Sequence, residues 1–232
     1  MVAREIALPR KDMMPEAVAA IRAVAKTEKI SADQANQSIT VEGSAREAGL
    51  AEWLAGELDK LGAGPGGHGY IMPNDSDDVT VAIGGLHMSA PISSAAAHVA
   101  TLADLQEYAN AIRVLGDIAR TGVYAPASAL VWRGKVWQSD LALWLLRELA
   151  NPPAANWTVP VTYHLDKTSP SVRIFYFAPE TTIPDLRQIV STMRAKAPAQ
   201  RAVVIGAERA IVLRGTDVEA TAAERVVAAA RK

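Results

Sequence analysis

Few residues in this chain have the type and spacing for catalysis or metal binding. His68, His87, His98 and His164 are far apart and show no HExxH-type spacing, and there is no cysteine to complete a zinc site or act as a nucleophile. Asn74, Ser76 and Asp78 alternate like the opening of a calcium loop. However, Val79 stands where such a loop needs its turn glycine and Gly85 where it needs its bidentate glutamate, so residues 74–78 read as a polar turn before a strand. The run GAGPGGHG at 62–69 lacks the GK[ST] ending of a phosphate loop and reads as a linker. Ser93, Ser94 and His98 lie close together, but no third group orients the histidine and no G-x-S-x-G is present. The residues thus nominate no catalytic, cofactor-binding or metal-binding position, and no cofactor is expected.

Recognition has better candidates. Trp132 and Trp137 flank a strand-to-helix corner at Gly134 and form the candidate interaction surface, because an exposed aromatic pair is what a partner would bury. Trp53 and Trp144 sit on apolar helical stripes and read as core, and Trp157 is less clearly interior. Arg22, Arg113 and Arg194 each fall near the end of a helix, where they complement its dipole or could bridge neighbouring units.

Charge narrows the partner class. Lys plus Arg number 24 against 25 Asp plus Glu, giving a net charge of -1, which offers no broad positive field to phosphates. No nucleic-acid partner is expected. No run approaches the roughly 20 apolar residues that cross a bilayer, so no membrane span is expected either. The first residues, MVAREIALPRKDMM, lack the apolar core of a signal peptide, which leaves a cytoplasmic location open.

The elements that carry these residues repeat. Gly43, Leu50, Trp53, Leu54, Glu57 and Leu58 recur 91 positions on as Gly134, Leu141, Trp144, Leu145, Glu148 and Leu149. A third copy follows 81 further on, where Arg113, Arg133 and Gly134 become Arg194, Arg214 and Gly215, and the spacing from Arg to Gly is 21 in all three copies. Each copy reads as strand, helix, hairpin, helix. In the first, the closing helix places Leu50, Trp53, Leu54, Leu58 and Leu61 on one stripe. Gly43, Gly134 and Gly215 mark the corner where a strand turns directly into a helix, which calls for a positive φ or a close approach.

The reading is an α+β chain of three tandem βαββα modules, each a small mixed sheet covered on one face by two helices. Module 1 spans 1–62, a Gly-rich linker 63–78, module 2 79–151, a Pro-rich linker 152–157 and module 3 158–232; modules 2 and 3 each carry an extra N-terminal strand, at 79–83 and 158–165. In the third copy Ala222, Arg225 and Ala230 replace Leu50, Trp53 and Leu58. Its closing helix must therefore pack more closely or keep a more exposed face.

The segment from Ile30 to Lys60, with its hairpin, Ile-Thr-Val-x-Gly and helix LAEWLAGELDK, resembles the short N-terminal domains of bacterial secretins, whose βαββα topology is KH-like. It recurs more weakly at 123–151 and 202–232. Nothing resembles the β-rich secretin pore domain, and a hairpin stands where a KH fold would carry its G-x-x-G loop. The resemblance implies a periplasmic or envelope-associated, non-catalytic scaffold whose modules bind protein partners or self-associate. The alternatives are a small-ligand-binding protein or an enzyme with a site at a module boundary.

Overall fold

The computed structural model describes residues 1–8, 13–27, 29–61, 66–88, 98–99, 101–153, 158–165, 170–196 and 201–231. The first copy contains β1 (Val2–Ala7), α1 (Met14–Val24), β2 (Lys29–Asp33), β3 (Ser38–Gly43) and α2 (Ala45–Leu61), with strand order β1-β3-β2. Next come β4 (Gly66–Met72) and β5 (Asp75–Gly84), a short pair β6 (His87–Met88) and β7 (His98–Val99), then α3 (Leu102–Gly116), β8 (Arg120–Tyr124), β9 (Ala129–Lys135) and α4 (Val136–Ala150). The third copy is β10 (Val161–His164), β11 (Ser171–Tyr176), α5 (Ile183–Lys196), β12 (Arg201–Ile205), β13 (Ala210–Gly215) and α6 (Asp217–Ala230).

Among the described residues the chain is α+β, with three small sheets of three or four strands beside the two-stranded β6-β7 pair. The second has strand order β4-β5-β9-β8 and the third β10-β11-β13-β12, so each repeats the order of the first and adds one strand at its edge. Every described pairing in these sheets is antiparallel. The expected mixed sheets therefore resolve as antiparallel ones. The central strand follows its edge partner through a tight hairpin, and the first strand enters against its other side.

The hairpins also match. Gln37, Ser128 and Arg209 all have positive φ, at 53°, 44° and 48°, and stand 91 and 81 residues apart, at one repeat position. None of the three is glycine, so the sequence marks the hairpin but not which of its residues takes the left-handed conformation.

Helix starts are fixed by side chains. Ser44 with Glu47, Thr101 with Asp104, Thr182 with Asp185 and Thr216 with Glu219 each exchange hydrogen bonds as reciprocal caps. In α4, Gln138 Oε1 accepts from the Lys135 N–H at 2.8 Å. These caps explain the corner glycines. None of Gly43, Gly134 and Gly215 has a positive φ. Instead, a Cβ at Gly134 would stand 2.8 Å from Gln138 Oε1, at Gly215 3.0 Å from Glu219 Oε2, and at Gly43 3.4 Å from Glu47 Oε2. The close approach is that of the capping side chain folding back.

One expected boundary needs correction. The Gly-rich stretch 63–78 is not a linker throughout: β4 occupies Gly66–Met72 and β5 begins at Asp75. The strand at 79–83, expected as the extra one, lies in β5, which pairs with β9 as β1 pairs with β3; β4 is the extra strand. Pairing to β5 satisfies a backbone that its own residues would leave unordered, and Gly67 lies so close to Ile83 that a Cβ would meet Cγ1 at 3.3 Å. The extra strand expected after the Pro-rich segment is found as β10, paired with β11.

Contacts divide the chain into two compact units, one of residues 1–86, 99–109 and 118–139, the other of 87–98, 110–117 and 140–232. In the first, α1 and α2 pack on the β1-β3-β2 sheet and also on the second sheet, α1 against β8 and β9, α2 against β4 and β5. Their core is continuous, running from Ile21, Ile39, Val41 and Leu54 to Ala82, Tyr124, Ala129 and Val131. In the second unit α5 and α6 cover one face of the third sheet over Phe175, Leu186, Met193, Ile211 and Leu213.

Candidate assembly surface

The second sheet turns His68, Tyr70, Ala82, Val131, Gly122 and Tyr124 toward the helices of the first copy. Each meets a partner there. Trp53 on α2 packs on Tyr70 with ring centroids 5.2 Å apart. The Glu57 carboxylate, 5% exposed, has Lys60 Nζ at 2.7 Å and His68 Nδ1 at 2.6 Å, the latter a hydrogen bond when Nδ1 carries its proton. A Cβ at Gly122 would stand 3.1 Å from Ala23 Cβ, and one at Gly84 2.8 Å from Leu61 Cβ, so glycine lets helix and strand touch at both.

The same joint recurs in the second unit. Trp144 packs on Tyr163 of β10 with centroids 5.0 Å apart, and Tyr176 donates to the Glu148 carbonyl at 2.7 Å. Arg214 donates to the Leu115 carbonyl at 2.6 Å and, with Arg201, to Asp117, binding the C-terminal end of α3. Val172, Ile174, Val212 and Ile205 on that sheet face are fully buried. Burial pushes the Tyr176 hydroxyl pKa well above the ordinary range, with Glu208 and Glu148 adding to it.

The tryptophans separate differently from the sequence expectation. Trp132 is wholly buried and donates to Ser139 Oγ at 3.2 Å, so it presents nothing to a partner; Trp137 is exposed. The two point to opposite environments because Trp132 sits in the middle of the central strand β9 and Trp137 lies in the first turn of the following helix. Trp53 and Trp144 line joints between copies, where the apolar stripe alone placed them in a module core. Trp157 lies outside the described residues, as do Ser93 and Ser94.

The repeated arginines act within their own copy where a partner is seen. Arg194 Nη2 donates to the Ala202 carbonyl at 2.9 Å and Arg22 Nη2 to that of Ile30 at 3.5 Å, both eight residues on, tying the helix end to the next strand. Arg113 is exposed. A contact between neighbouring copies is made instead by Arg214, one residue before the corner glycine, to Leu115 and Asp117, whereas Arg133 at the equivalent position stays within its own sheet. Arg133 grips Asp78 with Nε at 2.9 Å and Nη2 at 2.5 Å, which holds the Asp78 carboxyl below its ordinary range.

Two concave surfaces occur on the third copy. A groove of about 530 Å³ runs between α5 and α6 over Ile189 and Val226. A cleft of about 560 Å³ lies beside β10, where Arg173 is paired with Glu224 and Asp217 and Arg231 donates to the Thr158 and Tyr176 carbonyls. Among the described residues no three His, Asp or Glu side chains form a metal-binding group, and no helix is long and apolar enough to cross a membrane.

Fold and joints together define a class: a tandem α+β repeat protein in which one copy's helices serve as the floor for the next copy's sheet. No protein-family model matches the chain, and no curated protein matches it. Solved structures similar to it include a chain of the ETEC pilotin–secretin AspS–GspD complex, with 12% identity and a TM-score of 0.22, aligned over 100% of this chain and 38% of that one. Aeromonas hydrophila ExeD aligns at 11% identity and a TM-score of 0.22, over 98% of this chain and 40% of its own. The chain spans less than half the length of either, and likeness of that degree is too slight to bear on fold or function.

Proposed function

We propose that this chain is a non-catalytic scaffold whose modules mediate protein–protein assembly in a bacterial cell envelope. The observation that carries the reading is the joint made twice from equivalent residues, Trp53 with Tyr70 and Trp144 with Tyr163. A surface used repeatedly to hold sheet against helix is suited to holding protein. The envelope setting rests on the sequence resemblance of residues 30–60 to secretin N-terminal domains. Cross-linking the intact chain in envelope and cytosolic fractions, followed by identification of what it captures, tests both parts. A stoichiometric protein partner, enriched in the envelope, is expected; turnover of a substrate, or capture confined to the cytosol, overturns the reading.

Small-ligand binding has one supporting observation, the cleft lined by His164, Arg173, Glu224 and Arg231. Its arginines are already engaged by Glu224 and by backbone carbonyls, which favours a structural use of those charges. Saturable binding of a small anion, lost in Arg173→Ala, would favour this alternative.

A further inference from the structure

The helix pairs of the first two copies each receive a sheet, and the groove between α5 and α6 is the corresponding surface of the third. Its lining falls on the repeat positions that make the other joints. Arg225 stands for Trp53 and Trp144, Val226 for Leu54 and Leu145, Ala222 for Leu50 and Leu141, and Lys196 for Val24 and Leu115. The floor over Ile189 and Val226 remains apolar, while bulk has given way to small residues and to two cations. A sheet that fits this surface has the same topology and brings negative charge.

The β1-β3-β2 sheet answers that description. At the positions where the second sheet buries Ala82, Val131 and Tyr124, and the third Ile174, Val212 and Ile205, it carries Glu5, Thr40 and Asp33. Glu5 and Asp33 are exposed on this outer face, and Glu42 beside them is bridged at 3.3 Å to Lys29, so three carboxylates face one ammonium. Its partner surface on the third copy bears Lys196 and Arg225, both exposed. The two faces are complementary in charge and belong to one repeating mode of contact.

We propose that a second copy of this chain docks the outer face of its β1-β3-β2 sheet on the α5/α6 groove, head to tail. The contact is heterologous, so each chain offers both halves and assembly continues into rings or filaments rather than stopping at a dimer. This rests on the assembly reading above and names its partner.

Sedimentation of the intact chain over rising concentration, at low and high salt, tests it. Mass should rise past the dimer with concentration and fall with salt. Lys196→Glu with Arg225→Glu, and separately Glu5→Lys with Glu42→Lys, should each weaken association by about tenfold or more, and mixing the two reversed chains should restore it. Restoration also establishes that both are folded, and Lys196→Gln with Arg225→Gln gives a milder version of the same loss. A chain that stays monomeric at every concentration, or associates equally well in both reversed forms, overturns the proposal. If that monomer still captures an envelope protein, the assembly reading stands and only self-docking falls.

Discussion

Trp53 and Tyr70 stack at 5.2 Å with their ring planes 35° apart, and Trp144 and Tyr163 repeat the arrangement at 5.0 Å and 39°. Both pairs join a closing helix to the added edge strand of the following sheet. The aromatic contact holds an edge strand that its short ladder alone would leave weakly fixed.

Trp144→Ala should therefore destabilise the chain by about 3 kcal/mol, with Trp53→Ala, less deeply buried, costing about 2 kcal/mol. Tyr70→Ala should cost little more once Trp53 is gone. Denaturant unfolding of the four chains, read as a double-mutant cycle, measures the coupling; strictly additive losses would show that the rings do not support each other.

Gly134→Ala and Gly215→Ala should each lose about 1 kcal/mol, the scale of a helix cap, because the new methyl displaces Gln138 or Glu219. Gly43→Ala, with more room, should be milder. In a Gln138→Ala background the Gly134→Ala penalty should largely vanish, which thermal melting can check.

Gln37→Gly and Ser128→Gly should stabilise by up to about 1 kcal/mol, since both residues hold a left-handed turn that glycine adopts without strain. Unchanged or lowered midpoints in denaturant would mean that the side chains contribute more than the strain costs.

Asp78 has a pKa below its ordinary value of 3.8 because it accepts hydrogen bonds from Arg133. A depressed acid gives stability that is present above the ordinary value and is lost as the pH falls through the folded one. Asp78→Asn should cost about 1–3 kcal/mol at neutral pH, between the scales of exposed and buried pairs, and should flatten the acid limb of a stability profile below about pH 4.

Tyr176 behaves in the opposite sense. Burial raises its pKa above the ordinary 10.0, so folded stability falls as the pH rises beyond that value and the hydroxyl ionises only on unfolding. Tyr176→Phe should remove one tyrosinate from the absorbance step that accompanies alkaline unfolding, and should cost about 1 kcal/mol for the lost bond to Glu148.

The sequence by itself determined the repeat, the βαββα order and the corner glycines. These rest on local rules: apolar period, and hairpin residues between short apolar runs. It also marked the third closing helix as atypical. Tertiary structure alone decided that residues 66–72 form a strand, because glycine-rich backbone orders only when a neighbour such as β5 supplies its hydrogen bonds. It decided too that Trp132 is sealed inside while Trp53 serves a joint, since an apolar stripe says that a face is buried without saying against what. Charge on one sheet and its complement on a distant helix pair lie almost two hundred residues apart, and only folded copies set side by side show that they belong to equivalent surfaces.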